Sequence, residues 1–417
     1  MAQKKYNKSV SIVNPICCGL DIHKDKISCS LIYEQDNEVC IEQKEFTAFT
    51  DDLIQLRDWL LEHQCPVVAM ESTGIYWRPV HNILEGYVQV VLVNARHYKN
   101  VPGRKTDIGD SQWLAELLRF GLVRGSFIPP QEIRQWRDLT TLRKQLVLTE
   151  ADYRRRVQKL FESANIKLDS VVSDLFGVSG RNLMNLLLTV PTDQINKEDI
   201  QECLRGKLSK KAEEVFRAIK GFFVDHHRFI LVSYLGVIDN IRENIQQMDI
   251  KLREVMKNER NLLERLQEIP GVSEVSAATI VSLIGTTLDS FSTAASLCSW
   301  AGLCPGNNES GGKRKSGRSP VRKHSLKTAL VEVAWSAIKT RGSYYKEKYY
   351  RLKARRGAKR AIIAIAHRIL KAIYSIIKHG KKYKELGGEY LNKLNETMQL
   401  DRLKRLAQRH GYTLVAA

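Results

Sequence analysis

The 417-residue chain has no apolar run approaching the roughly 18 residues that a membrane-spanning helix requires. Residues 1–6 also lack the apolar stretch of a signal peptide, so we expect a cytoplasmic protein without a membrane partner. None of the eight cysteines forms a C-x-x-C pair, and several lie in apolar, strand-like segments. We therefore expect reduced core cysteines, and neither a zinc site nor disulfide bonds.

Acidic residues are scarce in one part of the chain. Between Gly311 and Gly380 there are 20 Lys or Arg residues and 2 acids, whereas the other 347 residues hold 46 bases and 44 acids. Charge runs are often solvated surface, but helical apolar patterns at 329–339 and 361–377 predict a folded block. A folded basic block attracts a polyanion, and nucleic acid is the first candidate.

Alternating strand and helix patterns fill the first predicted domain, residues 14–125. Three strand patterns predict a meander, and the strand–helix repeats that follow suit parallel pairing. The predicted strands are 16–21, 26–33, 38–46, 66–71 and 88–93, and the predicted helices are 50–63, 75–84 and 107–120. This α/β element order is that of the RNase H-like fold.

Acidic residues lie at the ends of these elements. Asp21 ends the first strand and Glu71 the fourth, while Asp107 and Asp110 are three apart and share one helix face. Asp107 also suits a helix start and Asp110 an ordinary surface, but acids at the ends of apolar strands are costly without a partner. Converging carboxylates repel one another unless divalent cations neutralise them. The pattern therefore predicts a two-metal Mg²⁺ (or Mn²⁺) site for phosphoryl transfer.

Three segments of this domain resemble the motifs of the IS110-family DEDD transposases. They are GLDIHK at 19–24, MESTGIYW at 70–77 and KTDIGD at 105–110, and the strand VLVNA at 91–95 matches as well. The resemblance implies a catalytic domain similar to the RuvC Holliday-junction resolvase. It also implies that the metal-binding, catalytic residues are Asp21, Glu71, Asp107 and Asp110.

The second predicted region, residues 130–265, is helical. Two series of apolar residues recur every seven positions between Leu231 and Leu262. They predict an antiparallel or intermolecular coiled coil, with a long core helix of one domain as the alternative. We expect a homo-oligomer, either a dimer or a tetramer. Residues 165–225 are helix-rich and indicate no chemistry.

The third predicted domain, residues 266–383, is mostly α-helical. LQEIPGVS at 266–273 precedes a helical run at 277–284 and looks like a helix–hairpin–helix element, whose amides would hold a phosphate. An ordinary helix–helix turn is the alternative. In context the segment resembles the start of the IS116/IS110/IS902-type transposase domain, and later segments continue the match. Residues 323–325 (KHS) depart from the family's usual KGN, and residues 384–417 form a tail.

In the family, a serine of this domain is the nucleophile, and by position the role falls on Ser310, before Gly311 and Gly312. Without the resemblance, a Ser-Gly pair predicts a turn, and Ser316 and Ser319 are rivals. A serine hydroxyl needs a base or metal to activate it, and nearby cations would stabilise charge on the phosphate. The candidate nucleic-acid contacts are Lys313, Arg314, Lys315, Arg318, Arg322, Lys323, Arg355, Arg356, Lys359 and Arg360.

The resemblance implies a prokaryotic, nucleoid-associated recombinase of an insertion sequence. It would exchange strands between donor and target DNA through a serine–DNA phosphodiester, guided by a structured non-coding RNA. Three alternatives stay open. They are a Holliday-junction-resolvase-like nuclease acting by metal-dependent hydrolysis, a non-catalytic nucleic-acid-binding protein, and an ATP-binding relative of RNase H, for which we find no Gly-rich phosphate loop.

Overall fold

The computed structural model of the protein describes residues 11–36, 38–72, 74–94, 109–306, 308–311, 313–316 and 324–413. The chain divides into two compact units, with the boundary between Ile128 and Pro129. Within the described residues, no helix combines the length and the hydrophobicity that crossing a membrane requires.

A mixed five-stranded sheet forms the centre of the N-terminal unit, with the strand order β3-β2-β1-β4-β5. Its strands are β1 (Cys17–Ile22), β2 (Lys26–Gln35), β3 (Glu38–Thr47), β4 (Val67–Glu71) and β5 (Gln89–Val93). The first three pair antiparallel, and β4 joins both β1 and β5 in parallel. The expected meander and the parallel repeats of an RNase H-like domain are therefore confirmed.

Each face of the sheet is covered by different helices because successive side chains of a strand point in opposite directions. The unit contains α1 (Thr50–Glu62), α2 (Trp77–Leu84) and α3 (Asp110–Arg119). Leu20 and Met70 belong to the core beneath α1 and α2. Cys17 and Ala69 belong to the opposite core, beneath α3. Every second residue of β1, counted from Cys17, therefore faces α3, as does every second residue of β4, counted from Ala69.

Two long helices and a small helical module begin the second unit. The long pair is α4 (Gln131–Ser163) and α9 (Asp225–Val255), and the module between them holds α5 (Leu168–Val171), α6 (Val178–Thr189), α7 (Lys197–Cys203) and α8 (Ala212–Ala218). The module has its own core, in which Leu183 and Leu187 are fully buried. The helix-rich expectation for 165–225 agrees with these helices.

Helices α4 and α9 pack antiparallel. Arg143 near the start of α4 forms an ion pair with Asp249 near the end of α9, and Arg242 Nε donates to Glu150 Oε1 at 2.8 Å. The heptad residue Ile241 is buried at 7% exposure. The antiparallel interpretation of this heptad pattern therefore agrees with these contacts, because the helical partner of these residues is α4 of the same chain. The homo-oligomer stays a prediction.

The heptad pattern also continues past the end of the helix. α9 ends at Val255, a 3₁₀ turn spans Lys257–Glu259, and α10 (Arg260–Gln267) follows. The break has a packing reason, since Leu263 and Leu266 on α10 are buried and α10 contacts α11 (Glu274–Ile284) and a late helix, Ala358–His379.

The remainder of the chain is mostly helical, with one short hairpin. Its elements are α11 (Glu274–Ile284), α12 (Ala294–Trp300), β6 (Asn308–Ser310), β7 (Lys313–Ser316), α13 (Ser325–Ala337), α14 (Tyr344–Arg356), α15 (Ala358–His379) and α16 (Tyr390–Arg409). α15 is the central helix, and it contacts α10, α12, α13 and α14. The predicted tail forms α16, in which Leu391 is buried.

Candidate active site

Strand register brings two of the candidate acids together. In the parallel pair of β1 and β4, Leu20 lies beside Met70, so the next positions are Asp21 and Glu71. Residues matched in this way on parallel strands point to the same face. α3 covers that face, because Asp21 follows Cys17 and Gly19 at every second position of β1 and so points to the same side. Both acids are half-buried, and Asp21 Oδ2 lies 3.2 Å from His23 Nε2.

Asp110 reaches this face because α3 begins with it. The next residue, Ser111, lies directly over β1, where a Cβ atom added to Gly19 would be 2.0 Å from the Ser111 carbonyl oxygen. The Ser111 hydroxyl also hydrogen-bonds to Ser30 on β2 at 2.9 Å. The contact fixes the first turn of α3 above the strand that carries Asp21. Three acids from three elements thus lie on one face, near the carboxyl ends of β1 and β4.

The donor set of these acids suits Mg²⁺ or Mn²⁺, which prefer carboxylate oxygens. Asp107, the fourth candidate, lies outside the described residues. Within the described part of the chain, no group of three or more His, Cys, Asp or Glu side chains is close enough to hold a metal ion. The three described acids alone therefore do not form a metal cluster, and the assignment of ligands depends on Asp107 and stays a prediction.

The cysteines near this sheet are poor nucleophiles and poor metal ligands. Burial raises the pKa of Cys17 to about 12 and that of Cys65 to about 11, and it also raises the pKa of Cys18 well above its usual value. Their thiols stay protonated at neutral pH. These three cysteines are therefore not candidate site residues.

Ser310 lies at the end of a strand. It pairs with Lys313 in the β6–β7 hairpin, and Gly311, which follows it, is a turn residue with a φ of +58°. Glycine suits that left-handed conformation because it has no Cβ atom. The expected Gly-containing turn after Ser310 is confirmed at the level of the backbone. Ser319, Arg318, Arg322 and Lys323 lie outside the described residues.

Four of the predicted basic contacts form an exposed corner. Arg355 and Arg356 end α14, Gly357 makes the turn with φ +78°, and Lys359 and Arg360 lie in the first turn of α15. All four cationic side chains are exposed. The first turn of a helix carries a partial positive charge, which adds to theirs and favours an anion such as a phosphate backbone.

The predicted helix–hairpin–helix has the right shape but offers fewer amides than expected. α10 and α11 are joined by a turn at Gly271, whose φ is +85° and where a Cβ atom would lie 2.4 Å from the Ala337 nitrogen on α13. The Val272 amide donates to the Ile269 carbonyl at 3.0 Å, and the Ser273 amide donates to Ser276 Oγ at 2.7 Å. These two amides are used internally, so they are not open to a phosphate.

Comparison with known families covers both regions. A transposase family model for the DEDD domain of IS110 elements matches residues 18–166. A second model, described as a transposase of the IS116/IS110/IS902 family, matches residues 263–351. The first match contains all four candidate acids, and the second contains Ser310. A comparison with curated proteins finds no match.

Proposed function

Because the chain belongs to the IS110 family of insertion-sequence transposases, we propose that it recombines DNA through a transient serine–DNA phosphodiester. The observation that carries this proposal is the placement of Asp21, Glu71 and Asp110 on one face of the sheet. A second support is Ser310 at a Gly-containing turn that opens a strongly basic block.

The chemistry exchanges one phosphate ester bond for another. Ser310 Oγ bonds to the scissile phosphorus, the bond from phosphorus to the strand oxygen breaks, and that oxygen takes up a proton as a free hydroxyl. A hydroxyl from another strand then attacks the phosphoserine and releases the serine. Since each step trades one ester for another, no external energy source is required. The four acids would hold Mg²⁺ or Mn²⁺, whose chemistry here is to polarise the phosphate.

We also propose that a structured guide RNA pairs with donor and target DNA. Exposed cations such as Arg355 and Lys359 suit backbone contacts, which carry no sequence information, so base pairing would supply the specificity. Sequencing the RNA that copurifies with the protein tests this part. A single structured RNA species in excess over bulk RNA supports it, and bulk RNA alone contradicts it.

The carboxylate assignment is tested by isosteric substitution. Asp21→Asn and Glu71→Gln should each abolish Mg²⁺-dependent strand cleavage while leaving the melting temperature within a few degrees, because each change removes a charge but little volume. Asp58→Asn, on the exposed side of α1, is the matched control and should cleave normally. Cleavage at the unmodified rate by either test variant would show that the acids are not the metal ligands.

The serine assignment is tested with a nicked suicide substrate. The unmodified protein should give a protein–DNA band that survives denaturation and disappears on protease treatment. Ser310→Ala should still bind DNA, since the cations that drive binding are untouched, but it should give neither this band nor recombinants. A band lost in Ser316→Ala or Ser319→Ala instead would move the nucleophile. Cleavage without any such band would favour hydrolysis by a junction-resolving nuclease.

A further inference from the structure

A cationic pocket lies in the C-terminal region, apart from the predicted contacts. It has a volume of about 320 Å³ and opens where the segment 381–386 folds back along α15. Arg368 and Lys371 are three apart and share one face of α15. Opposite them, the returning segment supplies Lys381, Lys382 and Lys384. None of the described residues that line the pocket is acidic.

Glu385 holds this segment in place. Its Oε1 accepts hydrogen bonds from the Tyr344 amide at 2.7 Å and the Gly387 amide at 3.0 Å, and its Oε2 accepts one from the Tyr383 hydroxyl at 2.7 Å. Tyr344 is the first residue of α14, so the carboxylate also caps that helix. The charge of Glu385 is thus used by backbone and hydroxyl donors. It orders the three lysines without pairing with them.

The start of the returning segment is fixed separately. Arg265 on α10 donates to the carbonyl oxygens of Ile376 and Lys381, at 3.3 and 3.1 Å. The segment is therefore held both where it leaves α15 and where it meets α14. Lysines on a free tail would spread apart to reduce their repulsion, whereas these three are kept against α15.

Two titratable groups beside the pocket have lowered pKa values, caused by burial and by neighbouring cations. Burial, and then Lys371 and Arg368, lower the pKa of His367. Burial, and then Arg368 and other arginines, lower the pKa of Lys348. Like charges held together in this way favour an anion that neutralises them.

Two tyrosines that line the pocket add no negative charge to it. Burial raises the pKa of Tyr345 to about 12 and raises the pKa of Tyr383 further, so both phenols stay protonated. The Arg368 guanidinium lies 5.8 Å from the centre of the Tyr344 ring, which orients its planar face. Guanidinium and ammonium groups together suit the oxygens of a phosphate.

We propose that this pocket binds a phosphodiester of a nucleic-acid strand. Ligand pockets span about 300–1,000 Å³, and at about 320 Å³ this one has room for one phosphate with its sugar but not for a duplex. The proposal rests on the nucleic-acid binding expected of a transposase and is independent of the serine chemistry. It gives the returning segment, which follows the predicted basic contacts in the chain, a role in holding the strand.

The sharpest test substitutes Glu385, because geometry and net charge predict opposite results. Removing an acid near a phosphate should strengthen binding if charge alone matters. If the carboxylate orders the pocket, Glu385→Ala should weaken binding severalfold, since the lysines are released. Glu385→Gln loses the same charge but keeps an oxygen that accepts the Tyr344 and Gly387 amides, so it is the matched control and should bind at least as well as the unmodified protein.

Binding is measured by fluorescence anisotropy with the full chain, using short labelled oligothymidine and oligouridine in separate arms. A loss of affinity in both arms, or in one, supports the pocket and identifies the strand it takes. Equal or tighter binding by Glu385→Ala than by Glu385→Gln in both arms would overturn the proposal. Melting temperatures are recorded alongside.

A second pair of variants covers a Glu385→Ala protein that fails to fold. Arg368→Gln with Lys371→Gln should flatten the plot of log affinity against log salt by about 0.7, the contribution of the one single-strand phosphate that the pocket no longer neutralises. Lys393→Gln with Arg402→Gln on the exposed surface of α16 removes the same charge and should change the slope less. Equal salt-dependence slopes for the two double variants would overturn the proposal that the pocket binds a phosphodiester. The covalent-band assay reports on the serine mechanism separately, so each proposal fails by its own measurement.

Discussion

Gly19 offers a direct test of how packing sets the candidate site. In Gly19→Ala, the added Cβ would lie 2.0 Å from the Ser111 carbonyl oxygen and 2.5 Å from the Ala115 amide nitrogen. Such contacts below 3.0 Å are essentially never seen. Because both partners are backbone atoms of α3, no side-chain rotation relieves the clash. The helix must move away from β1 by about 1 Å, the difference between the 2.0 Å contact and the 3.0 Å limit.

That displacement acts on Asp110, the residue before Ser111. Mg²⁺ holds oxygen ligands at about 2.0–2.1 Å, with a tolerance of about 0.2 Å, so a shift of about 1 Å separates Asp110 from an ion that Asp21 and Glu71 also bind. A misplacement of about 1 Å can lower a catalytic rate about 100-fold. Overpacking of this kind costs about 1–3 kcal/mol, so the N-terminal unit should remain folded at moderate temperature.

The assay compares Mg²⁺-dependent cleavage and thermal unfolding in two variants. Gly19→Ala should cleave about 100-fold more slowly while retaining its circular dichroism spectrum. Gly125→Ala is the matched control, because its Cβ would make an ordinary contact of 3.5 Å with Val91 Cγ1, and it should cleave normally. Normal cleavage by Gly19→Ala, with an unchanged Mg²⁺ requirement, would refute the claim that the β1–α3 contact positions Asp110.

Two further predictions concern the helix pair of the second unit. Burial raises the pKa of Glu150, but hydrogen bonds from Arg242 and Arg154 outweigh this effect, so the pKa lies below its ordinary value. The stabilisation by these ion pairs is therefore present at neutral pH and is lost as the pH falls through the lowered pKa, so Glu150→Gln should lower the melting temperature less at about pH 4 and below than at about pH 7. Ile241→Asp, at a buried position, should lower the melting temperature by more than ten degrees. Ile250→Asp, at a position that is 63% exposed, should leave the melting temperature nearly unchanged. Light scattering on Ile250→Asp also reports whether the outer face of α9 joins subunits.

The elements of the first unit were predictable because their patterns are local. β2 alternates as expected at its start, but its centre is continuously buried and includes Ser30, which hydrogen-bonds to Ser111 on α3. Acids after apolar runs marked Asp21 and Glu71. The role of Gly19 carried no such signal, because a glycine within a strand gives no sign of which backbone lies against it.

Sequence periodicity indicates which face of a helix is buried, but not which helix covers that face. Heptads between Leu231 and Leu262 indicated correctly that one face is buried, but periodicity does not distinguish α4 of the same chain from a helix of another subunit. The cationic pocket could not be predicted from the sequence for a related reason. Glu385 contacts Tyr344, 41 positions earlier, and in the sequence the segment 381–385 has the composition of a solvated charge run.

The distribution of charge follows from the chemistry proposed for each unit. Carboxylates that hold metal ions repel a phosphate backbone whenever the ions are absent, so the unit that carries Asp21 and Glu71 is poorly suited to capture DNA by itself. We expect capture to depend on the second unit, where the block of 20 bases and 2 acids lies. If this division holds, substitution of the acids changes the cleavage rate without lowering DNA affinity. Loss of Arg355 and Arg356 instead lowers affinity and its salt dependence. If Ser310 is the nucleophile, as proposed, its place at the start of the basic block puts it close in sequence to the cations that are expected to attract the phosphate.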